Sequence, residues 1–351
     1  MFSSPFMFSS PFCVRTSLRV VFLLIVSFAA TLLRAGLAEE KYFGRWALTL
    51  EGGRAGWLEI VPQKGWYDGS LLWVGGSVEP LASVAIVEGE LMVTRQRTVT
   101  RKGLDGVVLR KQQITEMLQG RLDGDVLKLT RSTLNNAGTA MEREPVSGRL
   151  IPALPPVPDL SRVRWGEPVS LLNGRDLSGW RLIEAKAENG WSVSNGTLSN
   201  RPTTHVVGQK SRRLGNLRTE REFEDFNLKA EVLVPANSNS GIYLRGIYEI
   251  QIQDSFGKAL DSHNMGALYS RITPSVAAEK PASEWQMLDI TLVERHLTVV
   301  LNGVTIIANQ PIAGCTGGAL WADEFRPGPI YLQGDHGAVT FRNLVLTPVL
   351  K

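Results

Sequence analysis

Cysteine is nearly missing from this 351-residue chain: Cys13 and Cys315 are the only two. Two isolated thiols exclude a cysteine-built zinc site and a disulfide-stapled scaffold. Histidine is scarce as well, with His205, His263, His296 and His336 scattered through loops and strands at no recognisable metal-ligand spacing. No apolar run reaches the ~20 residues that a membrane-spanning helix needs. A concentrated block of basic charge is also lacking. The chain carries +4, but its first 38 residues hold three arginines and no acid, which leaves +1 for the remainder. Nucleic-acid binding needs a clustered basic footprint, so no nucleic-acid partner is expected.

What is present begins with the N-terminus. Arg15 and Arg19 precede a 14-residue apolar run, Val20 to Leu33, and Gly36-Leu37-Ala38 offers small residues for cleavage. This pattern reads as a secretory signal peptide over residues 1–38, so a secreted or periplasmic protein with no stable membrane span after cleavage is expected.

Residues 39–150 read as strands throughout. Trp57–Val61, Ser70–Val74, Leu91–Thr94 and Val126–Thr130 are short apolar or alternating runs, and Glu88-Gly89 and Asp123-Gly124 mark hairpins between such runs. Sequential hairpins of this kind predict a small β-barrel or meander similar to a lipocalin-like fold. Trp46, Trp57, Trp66 and Trp73 are expected to fill its core. Four prolines within residues 151–159 then mark a stiff linker, taken as 151–164.

Residues 165–351 are again β. Phe226, Leu228, Ala230 and Val232 alternate on one face, and Asn195-Gly196 and Asn302-Gly303 are tight-turn signals. Long alternating strands with irregular connections indicate a two-sheet jelly-roll β-sandwich, making the chain all-β. Around Gly246, Ile242, Leu244, Ile250 and Ile252 form an apolar face. Alternation places Tyr243, Arg245, Glu249 and Gln251 on the opposite face, with Asp254 at its edge. A carboxylate, a guanidinium and amides are groups that sugar hydroxyls bond. The same face is also what an ordinary solvated sheet looks like, and an Arg245–Glu249 salt bridge would explain two of its members. Gln333-Gly-Asp335-His336-Gly adds a histidine beside a carboxylate, a possible proton-transfer pair. His263 in its loop is a further candidate, whereas His205 and His296 read as solvated.

Several phrases occur in an order that resembles the 3-keto-disaccharide hydrolase family: Leu171-Leu-Asn-Gly-Arg-Asp-Leu-Ser-Gly-Trp180, Asn239-Ser-Gly-Ile-Tyr-Leu-Arg245, Tyr248-Glu-Ile-Gln-Ile-Gln-Asp-Ser255, Gly266-Ala-Leu-Tyr269, Glu284-Trp-Gln286 and Tyr331-Leu-Gln-Gly-Asp-His-Gly337. The resemblance spans about residues 167–348 and leaves the N-terminal barrel outside it. It implies a concanavalin-like jelly roll, an exported bacterial protein and an oligosaccharide or glycoside substrate. In that chemistry a C3 carbonyl acidifies the C2 proton, the C1 substituent leaves by β-elimination, and water adds back. A general base and stabilisation of the enolate are required, and a divalent metal is left open. The paired carboxylates of ordinary glycoside hydrolysis are not needed. Glu249 and His336 are the expected proton-moving residues, with Tyr243, Arg245, Gln251, Asp254, Gln333, Asp335 and His263 binding substrate. The alternative is a lectin-like module that binds sugar without turning it over.

Overall fold

The computed structural model describes residues 39–103, 105–201 and 214–350. The expected signal segment and His205 lie outside the described residues. Among those described, no helix is long and apolar enough to cross a membrane.

Eight strands form the N-terminal barrel: Gly44–Thr49, Ala55–Gln63, Trp66–Trp73, Ser83–Val87, Glu90–Lys102, Val108–Asp123, Val126–Leu134 and Met141–Leu150. Each runs antiparallel to its neighbour. The sheet closes where Trp46 pairs with Leu150 and Thr49 with Ser147. The lumen is filled by Trp46, Leu48, Leu58, Ile60, Leu91 and Leu118, all at most 2% exposed. Alternation explains why Leu58 and Ile60 point inward. It also sends Trp57 outward, where with Ala55 and Leu72 it joins the hydrophobic core of the C-terminal sandwich. Two of the four expected core tryptophans are therefore buried in different cores. Trp66, by contrast, is 57% exposed at a hairpin end.

The C-terminal sandwich stacks an eight-stranded sheet on a five-stranded one. Its larger sheet is centred on Phe226–Leu233, which lies between Trp285–Val293 and the final strand Val339–Pro348. Phe226, Leu228, Ala230 and Val232 are buried as the alternation required. Asn195-Gly196 and Asn302-Gly303 both turn with two consecutive positive φ angles, the geometry that tight hairpins demand and that Asn-Gly tolerates. The smaller sheet runs Trp180–Leu182, Leu217–Thr219, Tyr331–Leu332, Asn239–Leu244, Tyr248–Gln253. Its inner face carries Ile242, Leu244, Ile250 and Ile252, all fully buried. Its outer face is the floor of the candidate site.

The proline-rich connector is held at several points. Ile151 N donates to Arg45 O at 2.7 Å, Arg295 Nη2 donates to Pro152 O and Ala153 O at 3.3 and 3.0 Å, and Asn309 Nδ2 donates to Pro158 O at 2.9 Å. His296 is not solvated: it is 2% exposed, and its Nδ1 bonds Glu294 O at 2.9 Å. It starts a strand whose packing encloses it.

Candidate functional site

The strands Asn239–Leu244 and Tyr248–Gln253 pair so that Tyr243 faces Glu249 and Gly241 faces Gln251. Tyr243, Glu249 and Gln251 therefore share the outer face, as alternation predicted. Gly241 leaves room for the Glu249 carboxylate, which a Cβ there would push aside. Alongside, Tyr331 stacks on Tyr243 with ring centroids 4.0 Å apart and planes 10° from parallel. Gln333 follows on the same chain. Its backbone is fixed by Gln333 N to Gly241 O at 3.0 Å and by Ser240 Oγ to Gln333 O at 2.8 Å.

These residues floor a cleft of about 380 Å³, within the size range of small-molecule sites. Asn239 joins the floor, Asp335, His336, Glu184 and Asn216 line one side, and Tyr269, Gly317 and Gly318 line the other. Two residues of the barrel, Gly75 and Gly76, complete the lining.

Glu249 is 3% exposed. Burial pushes its carboxyl up to about 8, against the opposing pull of the adjacent Tyr243 hydroxyl and the charge of His336. Burial also raises the Tyr243 and Tyr331 hydroxyls, and the Glu249 carboxylate adds to both shifts. Tyr243 donates to Gly317 O at 2.8 Å, which fixes its ring. His336 is half exposed at the rim and its Nδ1 lies 2.8 Å from Asp335 Oδ1. That contact orients the ring at the rim of the cleft.

Three side-chain oxygens at the floor, Asn239 Oδ1, Gln251 Oε1 and Gln333 Oε1, are buried without a hydrogen-bond partner. Buried polar atoms are normally satisfied, so three orphans in one cleft mark places for hydroxyl donors. A polyhydroxylated ligand supplies such donors.

The structure brings together Tyr243, Glu249, Gln251, Gln333, Asp335 and His336. Arg245 lies elsewhere. It has φ 53° in the turn with Gly246, so strand alternation no longer governs it. Its guanidinium is buried and donates to the carbonyls of Glu324 and Arg326, and it forms no bridge to Glu249. Asp254 is also off the cleft lining; its Oδ2 accepts from Asn237 N at 2.8 Å and braces the loop before Asn239. His263 stands behind Tyr269, edge-on to that ring at 4.8 Å. Tyr331, Tyr269 and Asn239 were missed as site residues, although all three lie within the quoted phrases and Asn239 continues the period of Gly241 and Tyr243. Glu184, Asn216, Gly75 and Gly76 gave no local signal. Among the described residues, no group of three His, Cys, Asp or Glu side chains is placed to hold a metal ion.

A jelly roll with a polar cleft over its smaller sheet defines the class, a carbohydrate-active β-sandwich protein. The chain belongs to the 3-keto-alpha-glucoside-1,2-lyase-like domain family, whose model matches residues 167–347. Among solved structures, a candidate glycosyl hydrolase from Parabacteroides distasonis is 27% identical; the match covers 56% of this chain and 93% of that one, with TM-score 0.41. A family-66 carbohydrate-binding module from Bacillus subtilis is 10% identical over 48% of this chain and 94% of that one, with TM-score 0.31. A LamA variant from Z. galactanivorans, in complex with laminaritriose and laminaritetraose, is 10% identical over 53% and 99%, with TM-score 0.35. No curated protein matches the chain.

Proposed function

We propose that the chain is an exported enzyme that cleaves 3-keto-glycosides, with Glu249 as the base that removes the C2 proton. The observation carrying this reading is a single buried carboxyl, pushed up to about 8, at the floor of a polar cleft with unsatisfied amide oxygens. A base of raised pKa is a stronger proton acceptor than an exposed carboxylate, which suits abstraction from carbon.

Glu249 takes the C2 proton, and the C2–H electron pair becomes the enolate across C2, C3 and the C3 oxygen. The enolate then re-forms the ketone as a C1–C2 double bond, and the C1–O bond breaks toward the leaving oxygen. His336, oriented by Asp335, is the acid placed at the rim to give that oxygen its proton. Amide N–H groups of Gln251 and Asn239 and the Tyr331 hydroxyl are the donors available to the developing charge. Addition of water at C1, with the proton returned to C2, gives net hydrolysis.

A hollow floored by a buried titratable group favours turnover over binding alone, because a binding platform does not need a carboxyl held near neutrality. The test is incubation with a 3-keto-glucoside and its unoxidised parent, with divalent metal added or chelated. Cleavage of the keto sugar alone supports the reading. Binding of both sugars with cleavage of neither sinks it in favour of the lectin-like module. Export rests on the charged start, apolar run and small-residue site of residues 1–38. N-terminal sequencing from the native host should begin close after Ala38; intact Met1 would contradict it.

A further inference from the structure

The barrel lies outside the family match, yet its loop after Trp66–Trp73 reaches the sugar cleft. Gly75 and Gly76 line the cavity beside Gly317 and Gly318. The approach is backbone against backbone: a Cβ on Gly317 would collide with Gly76, and one on Gly318 would meet the Tyr243 hydroxyl at 2.6 Å. Glycine at 317 is what lets the two chains close on each other.

Three hydrogen bonds fasten this loop to the sandwich. Gly318 N donates to Val74 O at 3.0 Å, Val78 N donates to Ser270 Oγ at 2.9 Å, and Ser77 Oγ bonds His263 Nε2 at 2.8 Å. Asp261 holds the other ring nitrogen of His263, and the ring packs edge-on against Tyr269, which lines the cleft. Serine, histidine and aspartate are thus connected in the order of a nucleophile, base and orienting acid. Ser77 and His263 are not among the residues lining the cavity, so the chain of bonds works as a latch. Below it, Trp57 of the barrel stacks on the Arg271 guanidinium at 4.0 Å, and Arg271 donates to Cys315 O at 3.0 and 2.6 Å. Val74 itself sits at φ 65°. A β-branched residue is strained there, and such strain persists only where surrounding contacts hold it, commonly at ligand-binding loops.

We propose that the barrel is a working part of the sugar site. Its Val74–Val78 loop is the wall that closes the cleft beyond the Tyr243–Glu249 strand pair, and the bound glycoside abuts it at Gly75 and Gly76. This rests on the keto-glycosidase reading of the cleft and adds to it a substrate contact supplied by the barrel.

Gly75 is the position for the test, since a Cβ there meets nothing within 4 Å and its φ is not in the left-handed region. Gly75→Trp should fold as the parent does and raise KM about tenfold or more for a 3-keto-disaccharide, the equivalent of losing one firm contact region. A smaller rise for methyl 3-keto-glucoside would place the wall against the leaving group, and an equal rise would place it against the keto sugar; either supports the wall. Ser77→Ala should raise KM severalfold with kcat and pH profile unchanged, and Ser77→Thr, which keeps the hydroxyl, should restore it. Affinity for both sugars is measured beside turnover. A folded Gly75→Trp protein with unchanged KM and affinity for both overturns the wall. If the parent binds the sugars and cleaves neither, the enzyme reading fails while the wall is judged on affinity alone. A parent that binds neither sugar overturns both.

Discussion

Glu116 in the barrel and Glu249 in the jelly roll are exposed by only 0% and 3%, yet they titrate in opposite directions. Burial by itself would raise Glu116, but hydrogen bonds from Arg131 and Arg95, the charge of Arg95 and a further bond from Arg97 outweigh it and hold the carboxyl at about 2. Glu249 has no such cation bonded to it; burial dominates, and the carboxyl rises to about 8. The first arrangement is a buried ion network, which specifies structure. The second keeps a group poised to change charge near neutrality, the arrangement expected of a proton-transfer residue. Burial of a carboxyl alone therefore says nothing about function here; its partners decide.

Exchanging the two residues should have opposite effects. Glu249→Gln preserves shape and should cost turnover ~10²–10⁴-fold, the usual contribution of a positioned base, while the protein remains folded. Steady-state kinetics beside a melting curve separate the two effects. Glu116→Ala should do the reverse. It strands three arginines around an empty site and should lower stability by about 3 kcal/mol, seen as a loss in denaturant midpoint.

The pH dependences also diverge, and their signs follow from the direction of each shift. Glu249 is raised above its ordinary 4.5, so its share of stability is complete below about pH 4.5 and lost as pH rises through about 8. Glu116 is lowered, so its share is present above about pH 4.5 and lost as pH falls through about 2. Melting temperatures of the parent and the Glu249→Gln and Glu116→Gln proteins across pH should show these opposite trends disappear one at a time. For catalysis, an ionised Glu249 is the competent base, so the ascending limb of kcat/KM should follow an apparent pKa near 8, with a descending limb set by the acid that protonates the leaving oxygen. A profile flat from pH 6 to 9 would remove Glu249 from the proton step. The smallest expected effect is at the orphaned amides: Gln333→Ala should raise KM by about tenfold, one ligand hydrogen bond, with little change in kcat.

Much of the sandwich was legible because period-two patterning is a local property. Ile242, Leu244, Ile250 and Ile252 went to the core, and Tyr243, Glu249 and Gln251 went to the cleft, as alternation required. The pattern failed where a residue leaves its strand. Arg245 is written like a strand residue but turns at φ 53°, so its guanidinium serves the 324–326 backbone. It failed again where contacts join distant segments. Nothing near Gly75-Gly76 announces that it meets Gly317, and nothing near Trp57 announces that it packs on Arg271 across the domain boundary. The opposite titration of Glu116 and Glu249 was illegible for the same reason, since the arginines around Glu116 come from neighbouring strands at 95, 97 and 131.

Glu249 is proposed to move the C2 proton of a 3-keto-glycoside, and solvent isotope incorporation reads that step. In D₂O, the parent enzyme should release 3-keto-glucose carrying deuterium at C2, because the abstracted proton exchanges before it is returned. Glu249→Gln should lose both cleavage and incorporation. Cleavage by the parent with C2 remaining fully protonated, or incorporation undiminished in Glu249→Gln, would take the C2 proton step away from Glu249.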